Sequence, residues 1–287
     1  MVIKTRRNGG SADPPKPTAI CQSPGCNMQP DGQTAAFCKQ HLTGQLSPLS
    51  ASEPDYAPLV YNKDPAKQRS HNCMSYAFAV IDNTLVENCR ANKANASMCR
   101  SGFHQPGALS GKSYVLNIAE RRTCEDVINL MMQDIPGVYK TTYEAQCPPG
   151  KSKIALVIDK CKDYHFYRQD SNGYWSHKDG SNKVKNFDSL KRLIGNPEKC
   201  CRDYRWQGSD LNYSDFCGFF CVPRNHEIVL GSGGGAAQAA GGGRFFQDAG
   251  VGLSWRDHRR RQQQRHQTAG RRRPSKAGRQ TRRRCRH

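Results

Sequence analysis

The sequence has few apolar residues and no long apolar run. Only 36% of its 287 residues are hydrophobic and 8% are aromatic, and the mean hydropathy is −0.81. No stretch approaches the roughly 18 consecutive apolar residues that a membrane helix needs, so we expect no membrane span. No apolar run follows the first basic residues, so we expect no classical secretory signal. The absence of a Gly-x-y period and of a sustained heptad excludes collagen-like and coiled-coil proteins.

Acidic residues are scarce at the C-terminal end, where arginine dominates. The formal net charge is +20, and residues 231–287 hold 14 Arg and one Lys against two Asp, a net charge of +13. Such a segment buries too little apolar surface to offset its ordering entropy, which predicts disorder. Guanidinium groups suit phosphate backbones, so we expect non-specific, salt-sensitive nucleic-acid binding. The alternatives are a solubilising tail or compositional drift. The candidate nucleic-acid-binding residues are Arg259, Arg260, Arg261, Arg271, Arg272, Arg273, Arg282, Arg283 and Arg284.

Changes in composition divide the chain into five segments. Residues 1–20 are polar and Pro-rich and are predicted to be a disordered arm. A compact Cys/His cluster, predicted to be a zinc knuckle, spans residues 21–41, and a Pro-rich linker is expected at 42–68. Regular apolar spacing over 69–224 predicts one domain of ordinary size. A Gly/Ala spacer and the disordered Arg-rich tail are expected over 225–287.

The central domain is predicted to be α+β. Apolar residues at helical spacing predict helices at 73–82, with Asn72 or Ser70 as the cap, and at 124–133, with Thr123 and Asp126 at capping-box spacing. Strands are expected at 153–159, 164–169 and 174–178, with a hairpin turn between the last two. Helices followed by strands favour a helix layer packed on an antiparallel sheet.

The N-terminal cluster has the residue types and spacing of a zinc site. Cys21 and Cys26 form one close pair, and Cys38 and His41 form another. Thiolates and an imidazole at such spacing can complete a tetrahedral zinc site, and metal binding can replace the core that 21 residues lack. The alternatives are disulfides or four unrelated residues. The pattern resembles the short Cys-x4-Cys…Cys-x2-His zinc repeats of brown algae and large algal viruses, which implies structural zinc.

A second constellation is typical of a cysteine hydrolase. Cys73 begins a predicted helix, where the dipole and free amides stabilise a thiolate and a developing oxyanion. His165 lies on a predicted strand, and His177 lies on its hairpin partner. The alternative for Cys73 is a small buried hydrophobe, and for His165 a hydrogen-bonded core residue.

This order of residues resembles the NlpC-type branch of the papain-like cysteine peptidases, with further similarity over 72–221 to proteins of bacteria and large DNA viruses. The resemblance implies a papain-like fold in which Cys73 is the nucleophile, His165 is the base and His177 orients the base. Asn186 or Asp188 is the substitute for His177. In place of the Asp-Cys-Ser-Gly sequence usual in NlpC-type enzymes, Asn72 precedes and Met74 follows Cys73.

Hairpin geometry decides whether the two histidines meet. A two-residue turn at Asn172-Gly173 would put His165 and His177 on opposite faces. A three- or five-residue loop, or a bulge, would bring them to one face. The triad therefore requires a particular turn.

The remaining cysteines leave three interpretations open: metal ligands, disulfides or buried thiols. Cys217-x3-Cys221 has ligand-like spacing, and with Cys200 and Cys201 it forms a possible second metal site. The other cysteines of the domain show no ligand spacing.

We therefore expect a cysteine hydrolase that cleaves a peptide or amide bond without a cofactor, carries a zinc knuckle and binds nucleic acid through its tail. The alternative is a non-enzymatic nucleic-acid-binding or virion structural protein with an inert papain-like fold. The expected location is intracellular, in nucleus or cytoplasm, or in a virion.

Overall fold

The computed structural model describes residues 14–41, 46–112, 123–160, 162–224 and 228–232. All of them lie in one compact unit, Met1–Gln238. The nine arginines of the predicted nucleic-acid interface lie outside the described residues.

Helices precede most strands along the chain. The helices are α1 (Leu59–Asn62), α2 (Pro65–Ser70), α3 (Cys73–Ala77), α4 (Asn83–Ala91), α5 (Ala96–Arg100) and α6 (Cys124–Asp134). The strands are β1 (Tyr139–Thr141), β2 (Lys151–Asp159), β3 (Asp163–Gln169), β4 (Trp175–Lys178), β5 (Val184–Lys185) and β6 (Asp215–Pro223). Short 3-10 helices span Lys39–His41 and Arg205–Gln207.

The six strands form one antiparallel sheet in the order β1-β6-β2-β3-β4-β5. The last strand of the chain, β6, therefore inserts between β1 and β2. The α+β class expected from the sequence is confirmed, with helices and an antiparallel sheet in one unit.

Strand β2 is buried on both faces. Ile154, Leu156 and Ile158 pack with residues of α3 and α6 in the first core. Ala155 and Val157 point to a second core, formed with Trp175, Ile194 and Tyr213. The sequence of a strand that is covered on both faces is a continuous apolar run, because residues on both faces are buried. That is why the segment Ile154 to Ile158 is uninterrupted by polar residues.

The helix predicted at 73–82 is shorter in the structure. Asn72 caps it, because its Oδ1 accepts the Ser75 N–H at 3.2 Å. The helix ends at Ala77, and Ala79 adopts a left-handed conformation with φ of 58°. A residue in that conformation ends the regular α-helical hydrogen-bond pattern. The predicted cap of α6 is confirmed, since Thr123 and Asp126 form a reciprocal capping box.

Within the described residues, three disulfides link four of the cysteines that showed no ligand spacing to one another or to β6. They join Cys89 to Cys99, Cys124 to Cys217 and Cys147 to Cys221. The second metal site suggested for Cys200, Cys201, Cys217 and Cys221 is therefore wrong, because two of its four thiols are oxidised.

A bulge in β6 directs one of these bonds. Leu156 of β2 pairs with Gly218, whereas Val157 pairs with Phe216, so Cys217 is an extra residue. The extra residue turns the Cys217 side chain into the first core, beside Cys124 of α6. Without the bulge, strand alternation would put Cys217 on the face that carries Phe219.

The segment predicted to be a linker is packed against the domain where it is described. It contains α1 and α2. Lys153 on β2 is fully buried and donates from Nζ to Tyr143 O at 3.1 Å, to Pro48 O at 3.3 Å and to Ser47 Oγ. Because a buried ammonium needs partners for its protons, residues 47 and 48 are tied to the sheet.

The predicted knuckle is docked on the domain as well. The buried Gln22 side chain accepts the N–H groups of Gly195 (2.7 Å) and Asn196 (3.0 Å) and donates to Leu193 O at 2.8 Å. The Phe37 ring lies over Gly195, where a Cβ atom would come within 2.3 Å of the ring. Only glycine allows this approach, so the knuckle packs closely against the loop at 193–196.

Removing each of two disulfides separately tests how much chain closure stabilises the fold. The Cys124–Cys217 bond spans 93 residues and the Cys89–Cys99 bond spans 10. In the loop-entropy relation the longer loop contributes about 5 kcal/mol and the shorter about 3 kcal/mol. We expect the Cys124→Ala/Cys217→Ala variant to lose more unfolding free energy in urea than the matched Cys89→Ala/Cys99→Ala variant. An equal or reversed order would contradict the entropic explanation.

Candidate functional site

Cys73 begins α3 at a buried position. Asn72 fixes the helix start, since its Nδ2 donates to His104 O at 2.7 Å while its Oδ1 caps the helix. The thiol packs with Tyr164 and Phe166, which lie on the face of β3 that is turned to the helices. Burial, and next the Asp163 carboxylate, raise the pKa of the Cys73 thiol far above its ordinary range. The N–H groups of Phe166 and Met74 act in the opposite direction but do not overcome burial. At neutral pH this is a protonated thiol and a poor nucleophile.

His165 lies on the other face of β3. Its ring contacts Tyr167 and Tyr213, whose side chains belong to the second core. Alternation along the strand points its side chain away from the face that carries Phe166. Cys73 and His165 both border one cavity of about 360 Å³. Among the described residues, however, no hydrogen bond joins them. Burial lowers the pKa of His165 to about 3.

The β3–β4 hairpin has a three-residue loop, Ser171 to Gly173. Asp170 N–H donates to Tyr174 O at 2.9 Å, and Tyr167 pairs with His177. A three-residue loop at 170–172 would have put His165 directly opposite His177. The observed loop begins one residue later, so Tyr167 takes that position. His165 and His177 are therefore diagonal neighbours on one face, with 2.8 Å between His165 Nε2 and His177 Nδ1. The side chains of His165 and His177 are therefore in contact, as one of the predicted loops allowed, but the Cys73 thiol is not hydrogen-bonded to either of them among the described residues.

Asp179 completes this group and was missed by the sequence analysis. Its Oδ1 lies 3.0 Å from His177 Nδ1 and 3.5 Å from His165 Nε2. Burial would raise the pKa of Asp179, but His177, His165 and Lys185 hold it well below its usual range. The alternation of an extended chain gives the missing indication, because Asp179 follows His177 by two residues and so shares its face.

The described hydrogen bonds of the proposed substitutes for His177 are made with other residues. Asp188 Oδ1 accepts the N–H groups of Leu190 and Arg192 and its Oδ2 accepts that of Cys201, so this carboxylate organises a turn. Asn186 accepts the N–H of Ile194 through its backbone carbonyl.

The four residues of the N-terminal cluster converge as predicted. Cys26 Sγ and Cys38 Sγ are 3.9 Å apart, and His41 Nδ1 lies 3.6 Å from Cys21 Sγ and 3.2 Å from Cys38 Sγ. Sulfur ligands 2.3 Å from a tetrahedral zinc ion would be about 3.8 Å apart, and a sulfur and a nitrogen ligand about 3.6 Å. The four side chains can therefore hold a metal ion. The sulfur separation of 3.9 Å is too long for a disulfide, which excludes that alternative for Cys26 and Cys38.

None of the helices in the described ranges is long and apolar enough to cross a membrane.

Comparisons with known proteins give one informative relative. The chain is 32% identical over 168 residues to insoluble matrix shell protein 1 of Ruditapes philippinarum. The aligned region is 58% of this chain and 88% of that protein. No protein-family model matches the chain. No solved structure matches it either.

The expected cysteine hydrolase is wrong, together with the protease and hydrolase functions attached to it. The relative is named as an insoluble matrix protein of a shell, which points to a structural role rather than to a cysteine hydrolase. The raised thiol pKa at Cys73 agrees with this correction, because a cysteine hydrolase needs a thiolate near neutral pH.

Thiol reactivity tests the inert state of Cys73 directly. In the full chain treated with iodoacetamide at pH 7, we expect Cys73 to be labelled more slowly than the partly exposed Cys201, because burial keeps it protonated. Peptide mass spectrometry gives both rates. The rate at Cys73 should be unchanged in His165→Ala.

His104→Gln serves as the matched control, since His104 is a buried histidine that contacts α3 through Ser75 at 2.9 Å. Fast labelling of Cys73 below pH 7 that disappears only in His165→Ala would restore a catalytic pair.

Proposed function

This chain belongs to the family of insoluble matrix shell protein 1, and from that premise we propose that it is a non-enzymatic structural component of an insoluble matrix. The observation that carries the proposal is the extent of the match, which includes 88% of the relative's length. Of the two functions considered from the sequence, the structural alternative agrees with this relationship.

The construction of the domain supports a structural role. Three disulfides connect helices and loops to one another and to the sheet. The cores contain large buried side chains such as Trp175, Tyr167 and Phe220. Cross-links that reduce the entropy of the unfolded chain suit a protein that must persist in a solid material.

The disulfides also favour an oxidising environment. Structural disulfides persist outside the reducing cytosol. We therefore propose that the protein matures in an oxidising compartment and functions outside the cytoplasm, in place of the expected intracellular or virion location.

The papain-like arrangement is retained as a proposal for the origin of the fold. Its support is that Cys73 begins a helix packed on an antiparallel sheet, with His165 and His177 on neighbouring strands. In this proposal the domain is an inert form, because burial keeps the Cys73 thiol protonated and, among the described residues, no hydrogen bond joins it to either imidazole.

The basic tail supplies a second proposed activity, the binding of polyanions such as nucleic acid. Its support is the net charge of +13 over residues 231–287. Binding through clustered arginines rests on counterion release, so it would be sequence-independent and would weaken steeply as salt rises.

We propose structural zinc for the N-terminal cluster. We expect the cobalt-substituted chain to show sulfur-to-cobalt charge-transfer absorption, because three thiolates converge on His41. This absorption should vanish in Cys26→Ser and remain in the matched variant Cys200→Ser, which removes a buried thiol outside the cluster. Identical spectra from the two variants would contradict the site.

Sequential extraction tests the structural function. Tissue that produces the protein is extracted with salt, then with detergent, then with detergent and a thiol reductant, and each fraction is immunoblotted. We expect most of the protein in the residue that resists salt and detergent, because a matrix component is held by its assembly. Recovery of most of the protein in the first salt extract would contradict a structural role.

A further inference from the structure

The described residues contain a second convergence of metal-ligating atoms, far along the chain from the N-terminal cluster. His165 Nε2, His177 Nδ1 and Asp179 Oδ1 are separated by 2.8, 3.0 and 3.5 Å. Two imidazole nitrogens and a carboxylate oxygen are a common donor set for divalent first-row metals, including zinc. The three donors come from β3 and from the end of β4, so a hydrogen-bonded hairpin holds them together.

The neighbours of these donors orient them toward one point. His177 Nε2 lies 3.1 Å from Phe187 O, and since a carbonyl only accepts, Nε2 carries the proton. The Nδ1 lone pair of a neutral His177 then faces His165 and Asp179. Lys185 Nζ binds Asp179 Oδ2 at 2.5 Å, which leaves Oδ1 for the cluster. Metal-binding histidines commonly have such an outer partner on the second ring nitrogen.

The protons available within the cluster are too few for its acceptors. With a neutral His177, its Nδ1 and Asp179 Oδ1 both present lone pairs to each other across 3.0 Å. His165 Nε2 lies within reach of both, and it offers them one N–H in one tautomer and a third lone pair in the other. A cation at the centre would be attracted by all three donors. The alternative occupant is a proton shared among the three groups.

We propose that His165, His177 and Asp179 form a binding site for a divalent first-row transition metal, with zinc as the reference ion. His165 and Asp179 border the cavity of about 360 Å³, and the Asp179 side chain is 29% exposed, so an ion can enter from that side. Zinc–nitrogen bonds of 2.0–2.1 Å would move the two imidazole nitrogens apart to about 3.3 Å. Three protein ligands leave a fourth position open to the cavity.

Metal counting with the full chain tests the site. The protein, with its disulfides intact, is equilibrated with zinc and desalted, and zinc per chain is measured by inductively coupled plasma mass spectrometry. We expect two ions in the wild type, one in Asp179→Asn and one in Cys26→Ser, because each variant removes one ligand from one cluster. Asp163→Asn is the matched control, since it removes a carboxylate that borders the same cavity but lies outside the cluster, and it should keep two ions.

The result that overturns the site is an unchanged zinc count in Asp179→Asn, which would leave only a proton at the cluster. Loss of both ions in Cys26→Ser would also overturn it. Where Asp179→Asn does not fold, His177→Gln supplies an independent test, because it removes an imidazole ligand of the same cluster. We expect one zinc ion in that variant, and a count of two would contradict the proposal.

Discussion

The rest of the domain depends on the burial of strand β2 on both faces and along both edges. Strands β3 and β6 satisfy its backbone hydrogen bonds on either side. The helices cover one face and the loops after β5 cover the other. A strand so enclosed excludes water, so a charged group that is buried against it needs partners within the protein. Lys153 illustrates the rule, because its ammonium draws the carbonyl of Pro48 and the hydroxyl of Ser47 onto the sheet.

The same constraint acts at the edges of the first core. Lys178 on β4 is buried and donates to the carbonyls of Gln68, His71 and Gly180 at 2.5 to 2.7 Å. Arg168 on β3 lies over the Tyr76 ring, 4.0 Å from its centre, and binds its hydroxyl at 2.8 Å. These contacts hold the α2–α3 connection against the sheet. They place Cys73 at a buried helix start, where a thiol contributes packing and not reactivity.

Strand alternation on β3 then directs the imidazole of His165 away from the core that contains Cys73, although the sequence predicted one site for both residues. Cys73 meets the side of β3 that carries Phe166, whereas His165 points to the side that carries Tyr167. The imidazoles consequently gather with Asp179 rather than with the thiol. The proposed matrix function needs a durable cross-linked domain and no activated nucleophile, and this division between the two faces agrees with it.

Local chemistry was readable from the sequence, and long-range register was not. The caps at Asn72 and Thr123, the strand through Ile154 to Ile158 and the converging ligands from Cys21 to His41 all depend on neighbours within about 20 residues. The helix after Cys73 was predicted too long, because Ala79 bears no mark of its left-handed conformation. The partner of Cys217 depends on a bulge opposite β2, and the meeting of His165, His177 and Asp179 depends on a three-residue loop. A shift of one residue in either place would turn these side chains to the other face. Composition and spacing thus determined α6, the strands β2, β3 and β4, the α+β class and the candidate ligands. Only the packed sheet decided which side chains share a face, because that depends on pairing between strands far apart in the chain.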